Sequence, residues 1–185
     1  MGIASFRRMV LIAALVFGSH AMHDAFAVIR WNAAGISPTM ISVLWSEAVV
    51  AEVIVFVLIG PRLVDTLGPG GAAAIASMAA ILRWIVMASS TNPGALAIVQ
   101  PLHGMTFALL HLACMRLIGA AVPQHLAATG QAIYALGPGL ITALLTLSSG
   151  VMYARLGASG FLVMSLLSAL ALPLCSGLRV SARSN

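Results

Sequence analysis

The sequence predicts an all-α polytopic membrane protein, a bundle of about six transmembrane helices, from three observations. Hydrophobic residues fill 61% of the 185 positions and charged residues only 7%, whereas a soluble domain covers itself with about a quarter charged residues. Mean hydropathy is +1.08, so most of the outer surface has to face lipid. Breaks in hydropathy divide the chain into stretches of about 20 residues, the length that crosses a bilayer core. Backbone groups in hydrocarbon must bond within their own segment, so each stretch reads as helix.

The first span covers residues 9–29 and ends at Arg30-Trp31-Asn32, a charged and aromatic interface signal. It follows Arg7 and Arg8 and superficially resembles a signal peptide. The apolar run continues through His20, His23 and Asp24 without a small-residue cleavage site, so a retained helix is expected. The second span covers residues 38–59. The stretch 60–71, closing on Gly68-Pro69-Gly70-Gly71, reads as the clearest loop in the chain. The third span, residues 72–89, closes at Ser90-Thr91-Asn92-Pro93-Gly94, and the fourth covers residues 95–118. The fifth, residues 127–150, contains Gly137-Pro138-Gly139, which is expected to kink it. The sixth covers residues 159–178. The whole chain, 1–185, reads as one transmembrane domain.

The net charge of +5 comes from nine arginines, with no lysine, against four acids. The arginines are spread singly, which argues against a nucleic-acid patch and for topogenic loop charge. With the N-terminus inside, Arg7, Arg8, Arg62, Arg116, Arg179 and Arg183 fall on the inner side, against Arg30 and Arg155 outside. Both termini are therefore expected to be cytoplasmic, in a bacterial inner membrane. Cys114 and Cys175 fall in apolar runs without metal or redox spacing and read as packing residues. No cofactor or metal site is expected.

Ionisable groups inside apolar spans cost about 2.5–3.5 kcal/mol each on insertion scales, so each needs a reason. His20 and Asp24 are four apart and share a helix face, with His23 beside them. That face either lines a pathway or forms a helix-end cluster pairing with Arg30. Glu47 and Glu52 are about 140° apart around their helix and cannot share one partner. Glu52 lies in Val49-Val50-Ala51-Glu52-Val53-Ile54-Val55-Phe56, where apolar surroundings penalise a charged carboxylate and suit reversible protonation. The rival reading is a static pair with Arg83. His103 and His111 fit one broad face of the fourth helix, as proton or substrate groups or as hydrogen-bond residues. Arg116, near the inner end, is expected to snorkel. Gln131 and Tyr134, one turn apart, either bond a substrate or join helices.

Gly157-Ala158-Ser159-Gly160 matches the GxSG of rhomboid-type intramembrane proteases. The last histidine, His125, lies upstream of that serine, so no general base follows it and the catalytic reading fails. Ser159 is expected to be a helix N-cap instead, and no enzyme activity is expected.

Several stretches together carry a resemblance. Leu44-Trp45, Ala51-Glu52-Val53, Pro61-Arg62-Leu63, Leu82-Arg83-Trp84, Leu102-His103-Gly104-Met105-Thr106-Phe107 with His111 and Met115, and Gly130-Gln131-Ala132 with Tyr134 follow one another in order. They resemble the C-terminal half of the phenylpropionate-permease-like branch of the major facilitator superfamily, with the nucleoside:proton symporters similar relatives. The resemblance implies a proton-coupled secondary transporter of twelve helices in two halves, substrate binding between the halves, and alternating access. It makes Glu52, Arg83 and His103 the leading candidates for proton coupling or substrate contact. Residues 60–71 fall at that superfamily's charged cytoplasmic loop. They keep Arg62 and Asp65 but lack its dense basic ending.

The expected function is therefore transport of a small organic solute, with Glu52 and His103 exchanging protons and Arg83 balancing charge or holding a carboxylate. Expected partners are the lipid bilayer, the substrate, protons, and either a missing N-terminal half or a second copy of the chain. A fragment of a longer protein is the favoured origin. The alternative is a non-transporting membrane scaffold or a degenerate remnant.

Overall fold

The computed structural model describes residues 2–178, and Arg179 and Arg183 of the inner-side arginine set lie outside that range. Among the described residues the protein is all helical. Four helical stretches are long and apolar enough to cross a bilayer: Ala4–Ala33, Pro38–Ser89, Pro93–Ala121 and Gln124–Cys175. The chain is an integral membrane helical bundle.

Helices α1 (Gly2–Gly18) and α2 (Ala21–Ala33) form the first stretch, offset at Ser19-His20. The offset has a local cause. The Ser19 hydroxyl donates to the Val16 carbonyl at 2.6 Å and the His20 ring bonds the same oxygen at 2.9 Å. The His20 backbone N–H, whose regular partner that carbonyl is, turns to Phe17 instead. Helix α3 (Pro38–Ile54) is started by Ser37, whose hydroxyl accepts from Met40 N–H, with Pro38 in the first turn.

A wide π turn, Val55–Ile59, joins α3 to α4 (Gly60–Ser89). Here the structure departs from the sequence expectation of a loop over residues 60–71. The widened turn places the Gly60 N–H on the Val55 carbonyl, and Pro61 follows in the first turn of α4, where it breaks no helical bond. Only Gly68 leaves helical geometry (φ 69, ψ 172), a conformation open to glycine and strained for any L side chain.

Asn92 starts α5 (Pro93–Val99) by accepting from the N–H groups of Gly94 and Ala95. A tight turn, Gln100–Leu102, and a second π turn, Met105–Leu109, lead into α6 (Leu110–Ala121). Helix α7 (Ala127–Leu156) runs on through Pro138, so Gly137-Pro138-Gly139 does not interrupt the helix. It ends at Gly157 (φ 54), after which α8 spans Gly160–Cys175. Ser159 is already helical in backbone and makes no side-chain cap bond, so its expected N-cap role is not seen.

Helix α4 packs most extensively against α8, and α1 against α7. The α4 face is small, with Ala73, Ala76 and Ala80 buried, which lets the backbones approach closely. Met9, Ile12, Val16, Phe161 and Met164 fill the same core, which also takes in both cysteines. Large apolar residues of α3 and its π turn (Val49, Val50, Val53, Val57) and of α7 (Leu136, Leu140, Leu144, Leu147) are exposed. In a soluble fold such faces would aggregate; in hydrocarbon they need no cover.

Candidate functional site

Arg83 lies on α4 and is fully buried. Its Nη1 donates toward His20 Nε2 (3.1 Å), His103 Nδ1 (3.2 Å) and Thr106 Oγ1 (3.1 Å), and its Nη2 toward Gln100 Oε1 (3.3 Å). The guanidinium also lies 4.7 Å from the Trp84 ring centroid. Trp84 is fixed in turn by its N–H, which donates to the Ser19 hydroxyl at 2.8 Å. The kink at Ser19-His20 thus has two effects: it aims His20 at Arg83 and supplies the acceptor that holds Trp84.

His103 bridges two charges. Its Nδ1 faces Arg83 and its Nε2 lies 3.3 Å from Glu52 Oε2. A guanidinium only donates, so a ring nitrogen that bonds it accepts. Nη1 shares its hydrogens among His20 Nε2, His103 Nδ1 and Thr106 Oγ1, and His20 Nε2 also lies 2.9 Å from the Thr106 hydroxyl. His20 Nδ1 faces a carbonyl and must donate. The arrangement suits neutral imidazoles beside the cation, with the His103 proton placed on Nε2 toward Glu52. The rival of a direct Glu52–Arg83 pair gives way to an arginine and a carboxylate joined through one imidazole.

The remaining candidates fall in different places. Asp24 bonds His23 Nδ1 at 3.2 Å and its side chain is 57% exposed. Arg30 does not pair with Asp24; it donates to the Ala88 carbonyl at 3.3 Å. Glu47 is half-buried on α3, with one carboxylate oxygen unpartnered. His111 is held apart, its Nδ1 3.3 Å from the Tyr134 hydroxyl. Gln131 is exposed on α7. Arg116 donates to Asp65 at 2.8 Å rather than standing alone.

Thr106 and Gln100 are site residues that the sequence reading did not select. Their signal was present: Gln100, His103 and Thr106 are spaced by three, so they share one helix face. Trp84 was noted only for the resemblance.

A cavity of about 420 Å³ opens beside this network, lined by Phe17, His20, Asp24, Trp45, His103, Phe107 and Thr142. It adjoins a groove of about 680 Å³ that shares Phe17, Phe107 and Thr142 and is floored by Gly139 and Ala143 of α7. Phe17 and Phe107 lie 5.3 Å apart, and Phe107 stacks on His103 at 5.7 Å. The cavity lining offers aromatic walls, the Asp24 carboxylate and the His20 and His103 imidazoles, with Arg83 and Glu52 reached through His103. Among the described residues no cluster of three His, Cys, Asp or Glu side chains is placed to hold a metal.

Long apolar helices closed around a polar centre, with a cavity opening onto it, define a polytopic membrane protein of the solute-handling kind. The chain belongs to the MFS_1 like family, whose model matches residues 5–163. It is similar to the probable 3-phenylpropionic acid transporter of Escherichia coli (strain K12), 36% identical over 162 residues. The match takes in 87% of this chain and 42% of that relative, so the chain spans less than half the relative's length.

Proposed function

We propose that the chain supplies six helices of a proton-coupled secondary transporter for a small aromatic carboxylic acid. The observation that carries this reading is Arg83: a fully buried cation whose four side-chain partners are all neutral, beside an aromatic-lined cavity. No carboxylate forms an ion pair with it, and Glu52 is reached through His103, so it retains an attraction for an anion. The E. coli relative is named for such a substrate, an aryl ring joined to a carboxylate.

Six crossings are supported by the two longest stretches, each of 52 residues and far longer than a bilayer needs. The first divides at Gly68 into residues 38–67 and 69–89, and the second at Gly157. With Ala4–Ala33 and Pro93–Ala121 the total is six, an even number that puts both termini on one side; the arginine distribution favours the cytoplasm. A six-helix half leaves the cavity open on one wall, to be closed by a further half or a second copy. In this mechanism Glu52, bonded by His103, takes and releases the proton while Arg83 holds the substrate carboxylate. No step requires a covalent intermediate, which fits a transporter rather than an enzyme.

The test is uptake of labelled 3-phenylpropionic acid into vesicles carrying the protein, driven by an imposed proton gradient. Gradient-driven uptake is expected to fall at least tenfold in Glu52→Gln. Unchanged uptake by that variant overturns the role of Glu52. No uptake under any gradient, with or without a partner half supplied, favours a scaffold.

A further inference from the structure

Gly104 touches the helix that carries Glu52 backbone to backbone. A Cβ built on Gly104 would lie 2.6 Å from the Ala51 carbonyl oxygen, 2.9 Å from its carbon and 2.8 Å from Val55 Cγ2. The first two neighbours are main chain and cannot rotate away. The crossing is also one residue from each member of the proton-handling pair, since Ala51 precedes Glu52 and His103 precedes Gly104. Both segments widen just beyond it, at Val55–Ile59 and Met105–Leu109, and these two turns pack on each other. The Val55 N–H is already shared between the Ala51 and Glu52 carbonyls, so the backbone that Gly104 touches is the one that sets the aim of Glu52.

We propose that Gly104 is a positioning residue for the proton step: its missing side chain sets the separation at which His103 meets Glu52. The inference rests on the reading of Glu52 given above. The magnitudes favour it. At 2.6 Å an added methyl is about 0.8 Å short of ordinary contact, and a retreat of that size carries a 3.3 Å pair beyond hydrogen-bond reach. The other charged or titratable groups facing His103 are Arg83 from α4 and His20, His23 and Asp24 from the first stretch. None of them lies at the crossing, so Gly104 controls the Glu52 side of the imidazole and leaves the Arg83 side to α4.

The experiment is an infrared pH titration of the full chain in lipid, following the Glu52 carboxyl band, which is assigned by its loss in Glu52→Gln. In the wild type, His103→Phe shifts the midpoint of that band. In a Gly104→Val background the midpoint is expected to be shifted already, and His103→Phe to add nothing. Gly104→Ala with Val55→Ala, which relieves one close contact, provides a milder variant that keeps the test open if Gly104→Val does not fold. Gly119→Val is the control, because a Cβ on Gly119 meets nothing within 4 Å. A Glu52 band that depends on His103 equally in the wild-type and both Gly104 backgrounds overturns the positioning role alone. A Glu52 that never titrates in the wild type overturns the underlying reading, and this proposal with it.

Discussion

Arg83 and Arg116 are both arginines on apolar helices, and the protein treats them in opposite ways. Arg116 meets Asp65 directly at 2.8 Å, with both side chains more than half exposed. Arg83 is fully buried and meets no acid directly, only two imidazoles, a hydroxyl and an amide. At the exposed end of a helix, water and salt screen the pair, so direct contact is cheap to make and worth little. In the interior each lost partner leaves a desolvated group, so the number of acceptors matters: both Arg83 Nη atoms find them, while its Nε is buried without a partner. His103 stands between Arg83 and Glu52, 3.2 Å from one and 3.3 Å from the other. Under the proposed function, that leaves the Glu52 carboxylate free of a direct ion pair with Arg83.

The largest expected effect comes from removing Arg83. Arg83→Leu takes the donor from buried His20, Gln100 and Thr106 and from partly buried His103, which predicts a loss of about 3–5 kcal/mol in the stability of the bundle. Denaturation of the purified chain in mixed detergent measures it. A cost below about 1 kcal/mol would mean that the network is dispensable and would collapse the contrast with Arg116.

The two faces of His103 can be separated next. Asn carries an amide oxygen near the place of Nδ1, so His103→Asn keeps the acceptor for Arg83 and gives up the reach to Glu52. Gln places an amide nitrogen near the place of Nε2, so His103→Gln keeps the donor to Glu52 and gives up Arg83. Each leaves one buried group unpaired, a cost of about 1–3 kcal/mol. The uptake phenotypes should diverge: His103→Asn alters the pH profile with substrate affinity retained, and His103→Gln weakens affinity with the pH profile retained. Identical profiles for the two would show that His103 does not act as a bridge.

A smaller effect is expected at the support of the cluster. Trp84→Phe removes the N–H that binds Ser19 and retains most of the ring beside Arg83. Side-chain hydrogen bonds between membrane helices average about 0.6 kcal/mol, so the loss should be of that order in the same denaturation assay. A loss several times larger would show that the Ser19 contact holds the kink that aims His20.

How much of this was legible follows the same contrast. The apolar stretches and the intramembrane charges stand out in the sequence because each is locally expensive, and the family resemblance singled out Glu52, Arg83 and His103 among them. Which residue meets which was not legible, since it depends on how helices cross. The kink at Ser19-His20 and the contact of Gly104 with Ala51 are tertiary facts. Gln100 and Thr106 were in reach, because their spacing from His103 places all three on one face. They carry no charge, so a search for expensive residues passed over them. The expected loop at residues 60–71 failed for a related reason: glycine and proline mark a break on average, but a widened turn ahead of Pro61 preserves the helix and leaves Gly68 as the single exception.

The smallest predicted effect is the one that most sharpens the comparison. Arg116→Ala should change stability by less than about 1 kcal/mol, as exposed pairs do. Asp65→Asn should give the same small value, and the double variant should add almost nothing to either. Ionic strength then separates the two arginines. Raising salt from 0.01 M to 1 M shortens the screening length from about 30 Å to about 3 Å, which should erase the Arg116 effect and leave the Arg83→Leu effect unchanged, because no ions reach a buried guanidinium. An Arg116–Asp65 coupling that persists at high salt would show that this pair is sequestered in the membrane-embedded protein, and the two arginines would then differ in partner alone.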